Sequence, residues 1–480
     1  MSAALHLADA GQKVVLCEAL KYPGGCASTF KKNGYRFETG ATLFSGFDEQ
    51  QLFSKWIRKY GLDVQIDNID PVIRFRSADF TVDISRCRET TANALCQIPN
   101  APQQAIRRFF AYQEKIADVL WPVFDCPSRL PPFSWSSLWW HCKRALKYPK
   151  LLPLINRSLF DVLKKYDLDK WPPFVQYVNA ISQITIQVDL YRAEALFGLV
   201  TLDYPFRGSV HIHEGIDAFN QQILGAIERC GGQVQLASRV KGIRKIEKRW
   251  EVETRQGVIQ CKNVVANLLP QNISKLLREV EVPNTLFKKQ KEVEKGWGAG
   301  MVYLVIDDHS SLPRHAFHVQ GIDDAELPFQ EGNHVFASVS AADENTKAPI
   351  GQRTVTVSTH IPIQKLQSLT PQDQGQYVSV VQEKIKQTLH KRMPEIMQNV
   401  VSSFSASPRT WERFTGRKMG YVGGVPRTKG LHNYAGVFPT KLLDNFWMVG
   451  DSVFPGQSTL AAAVGGVRTA NAVMGVSVPT

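Results

Sequence analysis

The first forty residues combine one apolar helical segment with short segments of strand character. Residues 2–9 are rich in alanine and leucine, and Gly11 stands where a helix C-terminus is expected. The apolar run 13–17 predicts a short buried strand, and Glu18 follows it directly. Residues 35–40 predict a further strand. The chain therefore begins with a mixed α/β pattern.

The order of helix, glycine, strand and acidic residue is typical of the second half of a dinucleotide-binding β-α-β unit. In such a unit a glycine-rich turn begins the helix, about 20 or more residues before the acid. Only 17 residues precede Glu18, so we expect the first strand and its glycine turn to lie upstream of Met1. The glycines between Gly296 and Gly300 do not replace that turn, because they precede an apolar strand, and a simple turn is predicted there.

The pattern changes twice along the rest of the chain. Residues 101–206 are rich in tryptophan and proline, and their periodicity is largely helical. Residues 208–267 return to an α/β pattern, with an amphipathic helix, a strand and a hairpin. Residues 276–400 mix strands with a long polar helix, and residues 445–474 predict a strand, a glycine turn and a helix. The α/β pattern thus occurs in separate pieces.

These patterns predict an α/β fold of two domains, either interleaved or consecutive, since 480 residues are too many for one simple core.

The C-terminal segment carries a second group of candidate binding residues. A predicted buried strand ends at Val449, and Gly450 allows the backbone to approach a ligand closely. Asp451 can accept hydrogen bonds from the hydroxyls of a sugar. Ser458 is the predicted N-cap of a helix that begins at Thr459, and the positive end of that helix favours negative charge on a bound group. A strand, turn and helix without a ligand is the alternative.

Composition and charge narrow the range of partners. Hydrophobic residues make up 44% and charged residues 21%, as in an ordinary folded protein. The net charge of +13 suits an anionic lipid surface, but no zinc-finger, RNP or dense basic motif indicates a nucleic-acid partner. No apolar stretch reaches the roughly 18 residues of a spanning helix, and no signal peptide is evident. A cytoplasmic protein is therefore expected.

Residues 138–152 interleave aromatic and basic side chains. In this stretch Trp139 and Trp140 are followed by Lys143 and Arg144. This composition is typical of a segment that lies in a membrane surface. A helix of the substrate domain with solvated lysines is the alternative, and the sequence leaves both open.

Several segments resemble one family of enzymes. Residues 22–30 (YPGGCASTF) and 34–42 (GYRFETGAT) are similar to the N-terminal signature of phytoene desaturases, carotenoid isomerases and retinol saturases. Residues 449–457 (VGDSVFPGQ) resemble the C-terminal flavin motif of this family, and residues 407–416 and 420–424 resemble the stretch before it. The resemblance covers nearly the whole chain. It implies an FAD-dependent oxidoreductase with an α/β fold in two interleaved domains. The Rossmann-like FAD-binding domain is then expected in three pieces, residues 1–95, 208–275 and 406–480. The α+β substrate domain that receives a long polyene is expected in two pieces, the helical region 96–207 and the sheet and helix of 276–405.

The resemblance also implies a set of contacts to FAD. Glu18 is expected to hold the adenosine ribose, and the backbone of Val240 is expected to pair with the adenine. The other expected contacts lie along the cofactor (Gly24, Gly25, Cys26), at the pyrophosphate and ribityl chain (Gly450, Asp451) and at the isoalloxazine ring (Thr459, Leu460).

Residues 211–215 depart from the family pattern, in which a glycine pair is common. A His-x-His pair such as His211 and His213 can ligate a metal on a strand, but no further ligand stands at a useful spacing, and no metal site is expected. These two histidines and Glu214 are candidates for lining the flavin face. No catalytic acid or base is identified, because the flavin supplies the chemistry in such enzymes.

The expected function is desaturation or cis–trans isomerisation of a carotenoid or a related isoprenoid polyene, with peripheral contact to a membrane. Two alternatives stay open. One is a different flavin chemistry on the same fold, such as saturation of a retinoid-like double bond or amine oxidation. The other is a truncated, non-catalytic remnant, since the missing glycine turn reduces the expected affinity for FAD.

Overall fold

The structure is a computed structural model, and it describes residues 1–40 and 42–475. Its strands, in chain order, are β1 (Val15–Cys17), β2 (Thr29–Lys32), β3 (Tyr35–Glu38), β4 (Ile66–Asn68), β5 (Ile73–Arg76), β6 (Thr81–Ile84), β7 (Val210–Ile212), β8 (Gln233–Gln235), β9 (Val240–Ile246), β10 (Arg249–Thr254), β11 (Gly257–Cys261), β12 (Val264–Ala266), β13 (Trp297–Asp307), β14 (Phe317–Ile322), β15 (His334–Val339), β16 (Gln352–Pro362), β17 (Val400–Ala406), β18 (Thr440–Leu443) and β19 (Phe446–Met448).

The helices of the same residues, in chain order, are α1 (Ser2–Asp9), α2 (Leu52–Tyr60), α3 (Arg88–Cys96), α4 (Gln103–Phe124), α5 (Trp135–Arg144), α6 (Leu159–Lys165), α7 (Pro172–Thr185), α8 (Ala195–Leu202), α9 (Ile216–Arg229), α10 (Pro270–Leu276), α11 (Asn284–Val293), α12 (Ile363–Gln367), α13 (Pro371–Arg392), α14 (Pro394–Met397), α15 (Pro408–Thr415), α16 (His432–Ala435) and α17 (Thr459–Met474). Among these helices, none has the length and apolar content that crossing a membrane requires.

Short parallel strands from distant parts of the chain form the part expected to bind the nucleotide. Strand β1 pairs in parallel with β8, and β12 pairs in parallel with β19. Helix α1 packs against α9 and α17. Gly466 permits the close approach of α1 to α17, because a Cβ at this position would clash with the Ser2 hydroxyl. The helix predicted over residues 2–9 and the helix predicted from Thr459 are both confirmed.

A seven-stranded sheet forms the centre of the other part, in the order β17-β13-β16-β15-β14-β5-β6. Its strands are antiparallel except for β14 and β5, which run parallel. The long helix α13 packs its buried face, which includes Val381, Ile385 and Leu389, in one apolar core with this sheet. Helices α4 and α6 to α8 share a second core with β5 and β6, and this confirms the helical character predicted for residues 101–206.

The turn predicted between Gly296 and Gly300 is wrong, because β13 begins at Trp297 and continues through these glycines. A Cβ at Gly298 would lie 3.0 Å from side-chain atoms of both Ile363 and Pro408. Glycine in a strand interior often marks the close approach of another element, and this is the case here. The sequence pattern showed the glycines but not the elements that pack against them.

A buried cluster of charges connects the two parts of the fold. Lys347 Nζ lies 3.3 Å from Glu38 Oε1 and 3.2 Å from Glu344 Oε1. His211 Nε2 lies 3.0 Å from Glu344 Oε2. Burial opposes the ionisation of Glu344, but the charges of Lys347 and His211 and the Ala341 N–H outweigh it, and they lower the pKa of Glu344 to about 2.

We expect Glu344→Gln to destabilise the protein at neutral pH by about 3 kcal/mol, because it leaves Lys347 partly unpaired in the interior. The ordinary pKa of a glutamate is 4.5, so the stabilisation by Glu344 is complete above that pH and decreases as the pH falls toward 2. Urea unfolding should therefore show the difference between native and variant proteins shrinking below pH 4.5. Glu383→Gln, at an exposed ion pair with Lys386, should change stability by less than about 1 kcal/mol at any pH. An equal effect of both substitutions would contradict this account.

Candidate cofactor and substrate cavity

A cavity of about 2100 Å³ is lined by residues from all three pieces of the predicted nucleotide-binding domain and by residues of the helical region. Its walls include the end of β1, the loop after it, the start of β9, strand β12 and the turn between β19 and α17. All nine residues that the sequence predicts as cofactor contacts line this one cavity: Glu18, Gly24, Gly25, Cys26, Val240, Gly450, Asp451, Thr459 and Leu460.

Glu18 is held at the end of β1 by backbone hydrogen bonds on both sides. Its N–H donates to Gln235 O at 2.9 Å, and its carbonyl accepts from Ser238 N at 2.8 Å. The carboxylate accepts from Leu20 N at 2.8 Å. Burial raises the pKa of this carboxyl, while its backbone hydrogen bonds act in the opposite direction. An acid fixed at the end of a parallel strand is the arrangement that receives the ribose hydroxyls of a dinucleotide.

Two glycines shape the loop that follows Glu18. Gly24 and Gly25 have φ values of +99° and +58°, which disfavour residues with a side chain. A Cβ at Gly24 would clash with Ala27 O and with the Asn220 side chain. Cys26 comes next, and burial raises the pKa of its thiol to about 11, so it is protonated at neutral pH and serves as a contact surface, not as a nucleophile.

Gly450 and Asp451 lie where three segments of the chain meet. Gly450 has a φ of +104°, and a Cβ there would clash with Asn267 Oδ1. Asp451 Oδ2 accepts a hydrogen bond from Arg417 Nη2 at 2.8 Å. A Cβ at Gly424 would clash with the carbonyl of Asp451. The two glycines therefore allow the segments 420–424 and 449–457 to pack in contact around the carboxylate.

The N-terminus of α17 faces the same cavity. Ser458 Oγ accepts from Ala461 N at 3.0 Å, and this confirms the predicted N-cap. Thr459 and Leu460 line the cavity in the first turn, where backbone N–H groups have no acceptor within the helix. A helix end of this kind favours a group with negative charge, such as the pyrimidine side of a reduced flavin.

Sequence reasoning missed several polar residues of the cavity. Arg417 and Asn267 line the cavity beside Asp451 and Gly450. Arg417 directly follows the family-like stretch 407–416, and its position after that stretch could have indicated it. Gln187 and His360 also line the cavity, and their Nε2 atoms lie 3.5 Å apart. Burial lowers the pKa of His360 to about 4, so this imidazole is neutral at physiological pH. No spacing pattern marks these last two residues, because the fold alone brings them together.

The helical side of the cavity is apolar. Its wall continues from the N-terminus of α17 between α2, α4 and α8. The large apolar side chains that these helices contribute form an apolar branch and are Phe53, Trp56, Trp121, Phe124, Phe197 and Val200; Leu43 and Phe336 also line the cavity. A branch of this composition excludes water and accepts a hydrophobic ligand.

The assignment of His211, His213 and Glu214 to the flavin face is wrong, since none of the three lines the cavity. Strand β7 pairs with β4 and directs His211 toward Glu344, and His213 pairs with Asp67. The reason is that no residue of β7 lines the cavity. In residues 1–40 and 42–475, no three His, Cys, Asp or Glu side chains are grouped so that they could hold a metal ion.

The acid at a strand end, the glycine-lined turns and the helix N-terminus fit a flavin dinucleotide, and together they define the class of flavin-dependent oxidoreductases. Residues 1–474 match the family of flavin-containing amine oxidoreductases, so the chain belongs to this family. The protein is an FAD-dependent oxidoreductase.

Several similar proteins support the resemblance to carotenoid enzymes. The chloroplastic prolycopene isomerase of Daucus carota is 22% identical, over 98% of this chain and 77% of the carrot protein. The isomerase of Arabidopsis thaliana is also 22% identical, over 98% of this chain and 80% of its own length. The 4,4'-diapolycopene oxygenase of Methylomonas sp is 23% identical, over 95% and 92% of the two chains.

Solved structures show the same fold. An oxidoreductase from Methanosarcina mazei superimposes with a TM-score of 0.63 at 16% identity, over 98% of this chain and 96% of its own. A redesigned triple mutant of putrescine oxidase superimposes with a TM-score of 0.65 at 14% identity, over 99% and 96% of the two chains. The predicted α/β fold of a flavin-dependent oxidoreductase is confirmed at this level.

Gly450→Ala should remove most of the bound flavin and destabilise the protein by about 1–3 kcal/mol, because the new methyl group meets Asn267 at a positive φ. The flavin-to-protein absorbance ratio and urea unfolding measure the two effects. Gly375→Ala, on the exposed face of α13 with no atom near the new methyl group, should keep the flavin and stabilise by about 0.5–1 kcal/mol. If Gly450→Ala keeps its full flavin content, flavin binding does not require the close approach of Gly450 to Asn267.

Proposed function

We propose that the protein catalyses the FAD-dependent isomerisation or desaturation of a carotenoid or a related isoprenoid polyene. The observation that carries this proposal is the continuity of the cavity, in which the nine predicted cofactor contacts open directly into an apolar branch. The prolycopene isomerases and the diapolycopene oxygenase among the relatives support a polyene as the substrate. The likeness to putrescine oxidase concerns the fold alone.

In this proposal Glu18 binds the ribose, Asp451 binds the sugar-like chain of the cofactor, and the N-terminus of α17 faces its ring. When bound, FAD supplies the electron-transfer chemistry that changes polyene double bonds. The apolar branch positions the polyene and keeps water away. His360 and Gln187 also line this cavity, and burial keeps the His360 imidazole neutral.

We further propose that one parallel strand with a glycine turn, joined ahead of Met1, completes the sheet between β1 and β12. Strand β1 pairs with β8 on one edge, and β12 pairs with β19 on one edge. Among the described residues neither strand has a partner on its second edge, and both strands line the cavity. A free strand edge presents unpaired N–H and C=O groups, which favour the addition of a strand.

Incubation of the flavin-loaded protein with prolycopene under reducing conditions should convert the prolycopene to a product with a changed double-bond geometry, resolved by chromatography. If the fully flavin-loaded protein leaves prolycopene unchanged, the proposed substrate is wrong.

Fusing the strand and glycine turn of a flavin-binding relative ahead of Met1 should tighten FAD binding by about tenfold or more. Glu18→Gln should weaken FAD binding in both forms. If FAD binds equally well with and without the fused segment, the proposed additional strand is wrong.

We also propose that an exposed apolar platform on α5 and the segment after it contacts an anionic membrane. Trp135 is 89% exposed and Leu146 is 92% exposed, and Trp139 and Leu152 are 64% and 63% exposed. Lys143, Lys147 and Lys150 lie in the same stretch, and together with the net charge of +13 they favour an anionic surface. Trp140 does not belong to the platform, because it packs between the guanidinium groups of Arg129 and Arg144.

The quadruple variant Trp135→Ser, Trp139→Ser, Leu146→Ser and Leu152→Ser should sediment with phosphatidylserine-containing vesicles about tenfold less than the native protein. The matched control is Val258→Ser with Ile350→Ser, since these side chains are also exposed but lie elsewhere, and it should bind like the native protein. If the quadruple variant and the native protein sediment equally, the platform does not contact the membrane.

A further inference from the structure

Arg427 places a positive charge in the wall of the cavity. Its Nη2 donates a hydrogen bond to Pro455 O at 2.7 Å. Within residues 1–40 and 42–475 this is the one hydrogen bond of the guanidinium, and no carboxylate of these residues forms an ion pair with it. Burial lowers the pKa of Arg427 to about 10, and the more distant charges of Glu292 and Glu194 oppose this only in part. The side chain is therefore charged at neutral pH.

The surroundings of this charge are aromatic. The guanidinium carbon lies 5.2 Å from the ring centroid of Phe197 and 5.8 Å from that of Phe454. The carboxylate of Glu194 is already engaged, because it accepts hydrogen bonds from the Tyr434 hydroxyl and from Phe197 N. A buried charge without a partner of opposite sign is costly. The site is thus prepared for a ligand that brings negative charge.

The backbone holds Arg427 against the turn that leads into α17. Its N–H donates to Ile186 O at 3.2 Å, and its carbonyl accepts from Glu194 N at 3.0 Å. A Cβ at Gly456 would lie 2.9 Å from Arg427 Nη2, and Gly456 precedes the N-cap Ser458 by two residues. The N-terminus of a helix carries about half an elementary charge, whereas a guanidinium carries a whole one. Arg427 is therefore the stronger source of positive potential at this wall.

A buried acceptor without a partner lies in the same turn. Gln457 lines the cavity, and its Nε2 donates to Ile184 O at 2.7 Å. Its Oε1 is buried and has no hydrogen-bond partner among the described residues. A hydrocarbon polyene offers neither a donor for this oxygen nor a charge for Arg427. The pyrimidine ring of a flavin offers both, since it has an N–H between two carbonyls and takes up negative charge on reduction.

We propose that Arg427 neutralises the negative charge on bound FAD after reduction and thereby raises the reduction potential of the cofactor. The inference rests on the proposed function, in which the ring of FAD lies at the N-terminus of α17. A donor that gives FAD two electrons and one proton leaves one negative charge on the ring. In a desaturation the polyene loses two electrons and two protons, and the second proton goes to solvent. In an isomerisation an external reductant supplies the reduced state, which is not consumed. Arg427 itself exchanges neither protons nor electrons.

The first test compares the reduction potentials of the flavin-loaded native protein, Arg427→Gln and Arg427→Lys, each measured by equilibrium reduction against a dye of known potential. Arg427→Gln keeps an N–H donor for Pro455 O but removes the charge. It should weaken the binding of reduced FAD about tenfold relative to the binding of oxidised FAD, which lowers the potential by about 30 mV. Arg427→Lys keeps the charge and should stay close to the native potential.

The matched control is Arg413→Gln, which removes an exposed arginine that does not line the cavity, and it should keep the native potential. A purely structural role of Arg427 would weaken the binding of oxidised and reduced FAD equally and leave the potential unchanged. An unchanged potential in Arg427→Gln, or an equal shift in Arg413→Gln, would therefore overturn the inference.

The second test uses the native protein alone, so it does not depend on the folding of a variant. The reduction potential is measured as a function of pH around neutrality. If the reduced ring is negatively charged, one proton accompanies two electrons, and the potential should fall by about 30 mV per pH unit. A fall of about 60 mV per pH unit means two protons and a neutral reduced ring, and it would overturn the inference.

The outcomes also separate this inference from the proposed function. If the potentials behave as expected but no polyene is converted, the proposed substrate is wrong and the role of Arg427 stands. If FAD binds and polyene is converted while Arg427→Gln keeps the native potential, the role of Arg427 is wrong and the proposed function stands. A protein that binds no FAD, even with the fused N-terminal segment, would overturn both.

Discussion

The architecture depends on the close approach of backbone segments that are far apart in the sequence, and glycines at their crossing points permit it. Gly450 lies against the Asn267 side chain, Gly424 lies against the carbonyl of Asp451, and Gly466 lies against Ser2. A methyl group at any of these positions would clash with the neighbouring segment. The cavity is therefore a consequence of tight backbone packing and not of one continuous motif. The acid, the turns and the helix end reach the same cavity only because these crossings hold.

The sequence predicted the local elements of the candidate cofactor site because each has a local physical cause. The apolar strand before Glu18, the glycine pair after it and the Ser458 cap are each visible in a short window, and the structure places the matching residues around one cavity. The stretches that resemble the family indicated that these separate segments belong to one binding site. Residues 1–40 and 445–474 were therefore the most predictable parts of the chain.

The remaining features depend on tertiary contacts that no short window contains. Gly298 and Gly300 resemble a turn in sequence, yet they lie in a strand because side chains from other elements pack against them. His211 resembles a residue of the cofactor face, yet the pairing of β7 with β4 directs it to Glu344. Gln187 and His360 come from a helix end and a sheet strand, and the fold alone unites them. Alternation and spacing carry no information about such neighbours.

We propose that Glu18 and Asp451, from opposite ends of the chain, hold the same dinucleotide. An equilibrium titration of FAD into the native protein and into Glu18→Leu and Asp451→Leu tests it most directly, with flavin fluorescence as the signal. We expect saturable binding to the native protein and a loss of about 10- to 100-fold in affinity for each variant, since each substitution removes charge-assisted hydrogen bonds. Native affinity in either variant, with both proteins folded, would contradict it.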